Sequence, residues 1–247
     1  MVAKDAPGGH TYSGKIDLGG RSAGAAIRKM IAPFNGQNGR REMFSQIIAR
    51  HHFAAIVETG TYRGHTTRFM AEESGLPVFS IESNAKAHRS ARDNVSGCDR
   101  VRLYLGDSVA TLRQELEARE IPDRDVLCYL DAHWGEVLPL ADEIEIVTTR
   151  MTNFVILIDD FQVPDDPGYG YDDYGPGKAL CLAYLAPFRG RGLVVFLPSR
   201  PSGEENGARR GCIVLTAAAT IAAALRKAPS LRDAGPLDKL LAALPAD

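Results

Sequence analysis

The feature that most constrains this chain is an alternation of short apolar runs with amphipathic segments between residues 54 and 160. AAIVE (54–58), VFSIE (78–82), VRLYLGD (101–107), DVLCYLD (125–131) and FVILIDD (154–160) each read as a short buried strand. Helices are predicted between them, over about 64–74, 84–94, 108–119 and 137–150. Runs that are apolar throughout belong to strands covered on both faces, so a parallel sheet with helices on both sides is expected. Ser108 has the side chain of an N-cap and is placed at the start of the third helix.

Around this core the pattern changes. Residues 1–22 are Gly-rich and polar, and 25–50 read as two helical pieces broken at Pro33-Phe34-Asn35-Gly36. After the fifth strand, FQVPDDPGYGYDDYGPG (161–177) is a long loop. Loops of that length in compact domains usually carry function or are disordered. Tyr169, Tyr171 and Tyr174 are read as rings of a substrate lid, with Asp165, Asp166, Asp172 and Asp173 keeping it hydrated. Residues 178–187 read as helical, with Lys178 at their start. LVVFLP (193–198) and GCIVLT (211–216) follow without a helix between them, which predicts an antiparallel hairpin. Three parts are therefore expected: an arm and helical cap over 1–53, a core over 54–216, and an Ala/Leu-rich helical tail over 217–247 broken at Pro229 and Pro236. The arm and the tail are the surfaces on which a homo-oligomer would pack.

Composition excludes several classes. The 247 residues are 45% hydrophobic and 24% charged, an ordinary globular balance. No apolar run approaches the roughly 20 residues that span a bilayer, so no membrane association is expected. The N-terminus lacks the apolar region of a secretory signal. Cys98, Cys128, Cys181 and Cys212 lack metal-binding spacing, and Cys128 and Cys212 lie within strands, so a reducing cytoplasmic setting is expected. A net charge of −2 argues against a nucleic-acid partner. Charge is nonetheless uneven: residues 121–175 hold thirteen Asp or Glu against Arg124 and Arg150. Asp142, Glu143 and Glu145 are read as a solvated helix face. Other acids in this stretch end strands, where α/β proteins place chemistry.

Glu58-Thr59-Gly60-Thr61-Tyr62-Arg63-Gly64 follows the first strand directly. Its glycines allow close approach of backbone to a ligand. Glu58 stands where the dinucleotide fingerprint has its first glycine; it would repel a pyrophosphate and could pair with a cationic amine. Glu82 ends the second strand 22 residues after Gly60, about where nucleoside-binding folds grip ribose hydroxyls. Gly106-Asp107-Ser108 brings another carboxylate to the same edge.

E-T-G-T-Y-R-G, the acid of the second strand, G-D-S and the terminal hairpin resemble class I S-adenosylmethionine-dependent methyltransferases over residues 54–216. The resemblance implies a Rossmann-like, seven-stranded and mostly parallel sheet with a C-terminal antiparallel hairpin. It implies that Glu58, Thr59, Gly60, Thr61, Tyr62 and Gly64 bind the methionine end of S-adenosylmethionine. Glu82 and Ser83 would take the ribose, Asp107 and Ser108 the adenine side, and Asp131 the reactive end.

The fourth and fifth strands end in Asp131-Ala132-His133-Trp134 and Asp159-Asp160. Three carboxylates converging without basic neighbours repel one another unless some are protonated or a hard cation joins them. Oxygen ligands suit Mg²⁺, or else Mn²⁺ or Ca²⁺. The arrangement resembles metal-dependent O-methyltransferases of the catechol type and of the sugar-tailoring type related to macrocin O-methyltransferase. That likeness implies Mg²⁺ on Asp131, Asp159 and Asp160, a small hydroxylated acceptor such as a sugar or phenol, and a base near the metal. Catechol enzymes have a lysine after their His-Trp, where this chain has Gly135. In the sugar enzymes the base is an acid two residues past the first ligand, and His133 holds that place; a neutral imidazole can take the acceptor's proton. Trp134 is read as a wall of the acceptor pocket. Metal-independent methyl transfer, or non-catalytic binding of S-adenosylmethionine, are the alternatives the residues leave open.

Overall fold

The computed structural model describes residues 32–133 and 138–245. The expected arm over 1–22, the start of the helical cap and Trp134 lie outside the described residues. A 3-10 turn at Pro33–Gly36 leads into α1 (Asn38–Ile48). Then come β1 (Ala55–Thr59), α2 (His65–Ser74), β2 (Val78–Glu82), α3 (Ala85–Asn94), β3 (Val101–Leu105), α4 (Ser108–Glu117), β4 (Val126–Leu130), α5 (Leu140–Arg150) and β5 (Val155–Asp159). The chain ends with β6 (Val194–Pro198), β7 (Cys212–Thr216), α6 (Ala219–Leu225), β8 (Leu231–Pro236) and α7 (Leu237–Ala242).

Among the described residues all strands form one sheet in the order β3-β2-β1-β4-β5-β7-β6-β8. The first five strands are parallel, and β7 runs antiparallel to both β5 and β6. Every residue of β1, β2, β4, β5 and β7 is buried, which explains their unbroken apolar sequences. One face packs on Leu112, Ile144, Val147 and Leu185. The other packs on Phe34, Phe44 and Ile47 from the segment before β1, together with Met70 and Ile221.

Four expectations are corrected. The tail is not wholly helical: Leu231–Pro236 is an eighth strand, antiparallel to β6, so the sheet has eight strands where seven were expected. Pro236 has no N–H to donate, and an edge strand tolerates that. Residues 178–181 are irregular, and the helical turn after them, Leu182–Phe188, is 3-10 and contains Pro187. Asp107, not Ser108, caps α4: its backbone is extended and its carboxylate accepts from Ala110 N at 2.8 Å. Glu143 is not on a solvated face but fully buried in α5. Burial pushes its carboxyl up to about 7, an effect that the Ser108 and Thr59 hydroxyls beside it oppose.

Candidate active site

Strand order reverses direction at β1, with β2 on one side and β4 on the other. The carboxyl edge at such a switch point is where open α/β sheets leave a crevice. The turn leaving β1 fills it. Gly60 sits at φ +83°, and a Cβ there would overlap the carbonyl of Asp131 at the end of β4. The turn's donors are spent on its own shape: Gly60 N and Thr61 N both point to the Ile81 carbonyl. Tyr62 N donates to Glu82 Oε2 at 2.7 Å, and Asn84 N to Glu82 Oε1 at 2.7 Å. Glu82 is thus locked against the turn. Ser83 and Asp107 are exposed beside it.

Glu58 is the unusual group. One of its oxygens accepts from Thr67 and Ser80, whereas Oε1 is buried with no partner among the described residues. Burial, more than any neighbour, lifts its carboxyl to about 7. It lines a small cavity of about 60 Å³ together with Asn35, Gly60, Tyr62, Thr66 and Asp131. The Thr61 hydroxyl turns elsewhere, to Ser80, and the buried Thr59 hydroxyl has no hydrogen-bond partner among the described residues. A buried, unsatisfied carboxylate oxygen in a cradle that only glycine permits fits a ligand bearing an ammonium group.

The acids ending β4 and β5 do not form the expected trio. Asp159 turns inward and pairs with the buried guanidinium of Arg40 from α1. It also accepts from the Tyr129 hydroxyl and from Asp160 N. Burial works against its charge, but Arg40 and Tyr129 prevail and hold its carboxyl below the usual range. Arg40 donates as well to the carbonyls of Arg210 (2.8 Å) and Gly211 (3.0 Å). Arg210, just before β7, bridges Asp160 at 2.5 Å and Asp172. The expectation of no basic neighbours therefore fails twice, and Lys178 is merely exposed.

The structure instead groups Asp131, His133 and Asp160, with one ligand atom of each within 4.8 Å of the others. Asp131 is 28% exposed and its Oδ1 lies 3.7 Å from His133 Nε2. His133 is enclosed, and neither ring nitrogen has a partner among the described residues. Burial lowers its pKa, against the pull of Asp159 and Asp172, and so favours the neutral imidazole. Asp131 is pushed upward by desolvation and then by Asp159 and Asp160. Asp160 is pushed to about 7 by desolvation and Asp159, with Arg210 opposing.

The loop after β5 is tied down more than its composition suggests. Asp172 N donates to the Asp160 carbonyl at 2.9 Å, and the Tyr174 hydroxyl donates to the His133 carbonyl at 3.0 Å. Tyr169 is buried and its hydroxyl donates to the Arg200 carbonyl, so it anchors the loop and is not part of a lid. Tyr171 alone of the three stands exposed. A larger cavity of about 250 Å³ lies between α1 and the segment after β6; it touches Arg40 and Arg210 but none of Glu58, Glu82, Asp131 or His133.

No protein-family model and no curated protein matches the sequence. Solved structures do match in fold. An O-methyltransferase from Bacillus cereus in complex with SAH superimposes with a TM-score of 0.52 at 18% identity, over 79% of this chain and 87% of that one. TomG from Streptomyces achromogenes, an O-methyltransferase of tomaymycin synthesis in complex with SAM, gives 0.52 at 14% identity, over 78% and 86%. The SAH-bound methyltransferase PaMTH1 of Podospora anserina gives 0.51 at 17% identity, over 72% and 76%. The chain has the Rossmann-like methyltransferase fold, mostly parallel with an antiparallel C-terminal segment. Among the described residues, no helix is long and apolar enough to cross a membrane.

Proposed function

We propose that this protein transfers a methyl group from S-adenosylmethionine to a hydroxyl of a small molecule, with a divalent ion assisting. The observation that carries the reading is the buried Oε1 of Glu58, without a partner among the described residues, on a side chain that lines the cavity at the switch point beside Asp131. An ammonium placed there satisfies that oxygen. Similar folds hold S-adenosylmethionine or its product, and those proteins are described as methyltransferases.

In this reading Glu58 receives the amino group of the methionine end. Glu82, already fastened to Tyr62 N and Asn84 N, retains lone pairs for ribose hydroxyls. Gly60 lets the turn and the Asp131 carbonyl stand close enough to shape one wall. Bound S-adenosylmethionine supplies an electrophilic methyl on a sulfonium. In-line displacement then depends on holding the acceptor oxygen against that methyl, chiefly a positioning task. Asp131, His133 and Asp160 are the residues that would hold the ion. The ion supplies Lewis acidity that lowers the pKa of a bound hydroxyl. The neutral imidazole of His133 offers a lone pair, which serves either the acceptor's proton or the ion. Asp172 and Tyr174 fasten the loop to Asp160 and His133 at this edge.

The test is calorimetric titration with S-adenosylhomocysteine, followed by Glu82→Ala. Losing charge-assisted hydrogen bonds of about 1.5–3 kcal/mol should weaken binding roughly 10- to 150-fold with the fold intact. Failure of the unmodified protein to bind S-adenosylhomocysteine would overturn the reading. Unchanged affinity in the variant would remove Glu82 from the site.

A further inference from the structure

The donors at the end of β4 and β5 are not those of an oxygen-only site. Asp159 is consumed by Arg40, the Tyr129 hydroxyl and Asp160 N, so both its oxygens are engaged, although the same Tyr129 hydroxyl lies 3.4 Å from Asp131 Oδ2. The third position belongs to His133. Its ring is wholly enclosed, and Nε2 approaches Asp131 Oδ1 to 3.7 Å without forming a hydrogen bond. Ligand atoms of Asp131, His133 and Asp160 fall within 4.8 Å of one another. Ligands each about 2.0–2.3 Å from one shared ion stand at most about 4.6 Å apart, so small side-chain shifts bring these atoms onto one ion.

Two further facts bear on which ion this is. Mg²⁺ gives up its water reluctantly and favours carboxylates and water, whereas imidazole suits the later first-row divalent metals. The field that would strip water from Mg²⁺ is also weakened here. Arg210 already shares Asp160 through a 2.5 Å bond, and Arg40 neutralises Asp159.

We propose that Asp131, His133 and Asp160 form a mixed nitrogen–oxygen site for a first-row divalent transition metal, with His133 binding through Nε2 as a ligand and not as the general base. The biological use of such a site rests on the methyl-transfer reading above; the binding chemistry does not. Asp131 and Asp160 supply the hard donors and His133 the borderline one. Asp131 is the partly exposed member of the three, and its side is where water and an acceptor hydroxyl would enter.

The experiment uses metal-stripped protein titrated separately with Mg²⁺, Co²⁺ and Zn²⁺, and X-ray absorption of the zinc-loaded form. One imidazole together with oxygen donors is expected in the zinc spectrum. Every mixed site holds Zn²⁺ more tightly than Mg²⁺, so the decisive quantity is how the ratio changes on substitution. His133→Ala should weaken Co²⁺ and Zn²⁺ by at least the roughly 10- to 100-fold that even outer partners of a ligand carry, and Mg²⁺ much less. His133→Asp restores a third oxygen and should narrow the Co²⁺/Mg²⁺ ratio without loss of the site. Absence of imidazole scattering in the unmodified protein, or a parallel loss for all three ions in His133→Ala, overturns the proposal. So does a complete lack of ion binding while S-adenosylhomocysteine still binds, which leaves methyl transfer standing. Intact zinc binding with no affinity for S-adenosylhomocysteine overturns the methyl-transfer reading alone.

Discussion

Glu58 illustrates how a single atom's environment sets a site's chemistry. Its Oε1 is buried without a donor among the described residues, and burial raises the carboxyl to about 7. An ammonium ligand pairs with the ionised form only. The unbound group is still largely protonated below pH 7, so ligand binding there must release a proton. Affinity for S-adenosylhomocysteine should therefore rise between about pH 6 and about pH 8, by at most tenfold per unit. Glu58→Gln should flatten that dependence and weaken binding by about 1.5–3 kcal/mol at the upper end. Calorimetry across the range checks both; a pH-independent affinity in the unmodified protein would detach Glu58 from the ligand.

The elements around the site are joined by a charge and not only by apolar contact. Arg40 in α1 reaches Asp159 at the end of β5 and the carbonyls just before β7. One side chain thereby clamps a helix to the two strands whose antiparallel pairing closes this edge. Both partners are buried, so removing one leaves an uncompensated charge. Arg40→Met should cost about 3–5 kcal/mol in denaturant unfolding. Adding Asp159→Asn should recover part of that loss, because the stranded charge is gone. A near-neutral single variant would mean that the clamp contributes nothing net.

Across the whole molecule, several carboxyls share an upward shift, which gives stability a pH slope. Glu58 and Glu143 both titrate near 7 when folded against a usual value of 4.5, chiefly because they are buried. The folded chain then holds these protons longer than the unfolded one. Their contribution is full below about 4.5 and is lost as pH rises through 7, on the order of 3 kcal/mol for each group. Urea unfolding of metal-free protein should show stability falling from about pH 5 to about pH 7.5. Glu143→Gln should remove roughly half of the part due to this pair. A flat or rising curve would show that these carboxyls are not held neutral.

Periodicity along the chain is enough to determine the parallel core. Strands covered on both faces read as continuous apolar runs, and parallel neighbours need crossover helices. β1 to β5, including the half-exposed β3, and the hairpin of β6 and β7 are therefore legible to within one or two residues. The turn after β1 and the acids at the strand ends are legible for the same reason, since a strand's carboxyl end is known once the strand is. β8 is not, because an edge strand buries little and Leu231–Pro236 carries no distinctive pattern. Glu143 looks like one more acid on a charged helix until the packing of α5 encloses it. Arg210 lies two residues before Cys212, which pairs with Asp159, so the hairpin hints at its position. Arg40 offers no such signal: it lies 119 residues from Asp159, and only the docking of α1 on the sheet brings them together. That contact engages Asp159, which stays beside Asp131 and Asp160 while His133 completes the cluster with them. Local pattern decides where donors lie along a strand, but which way each turns depends on the charges that distant elements bring beside it.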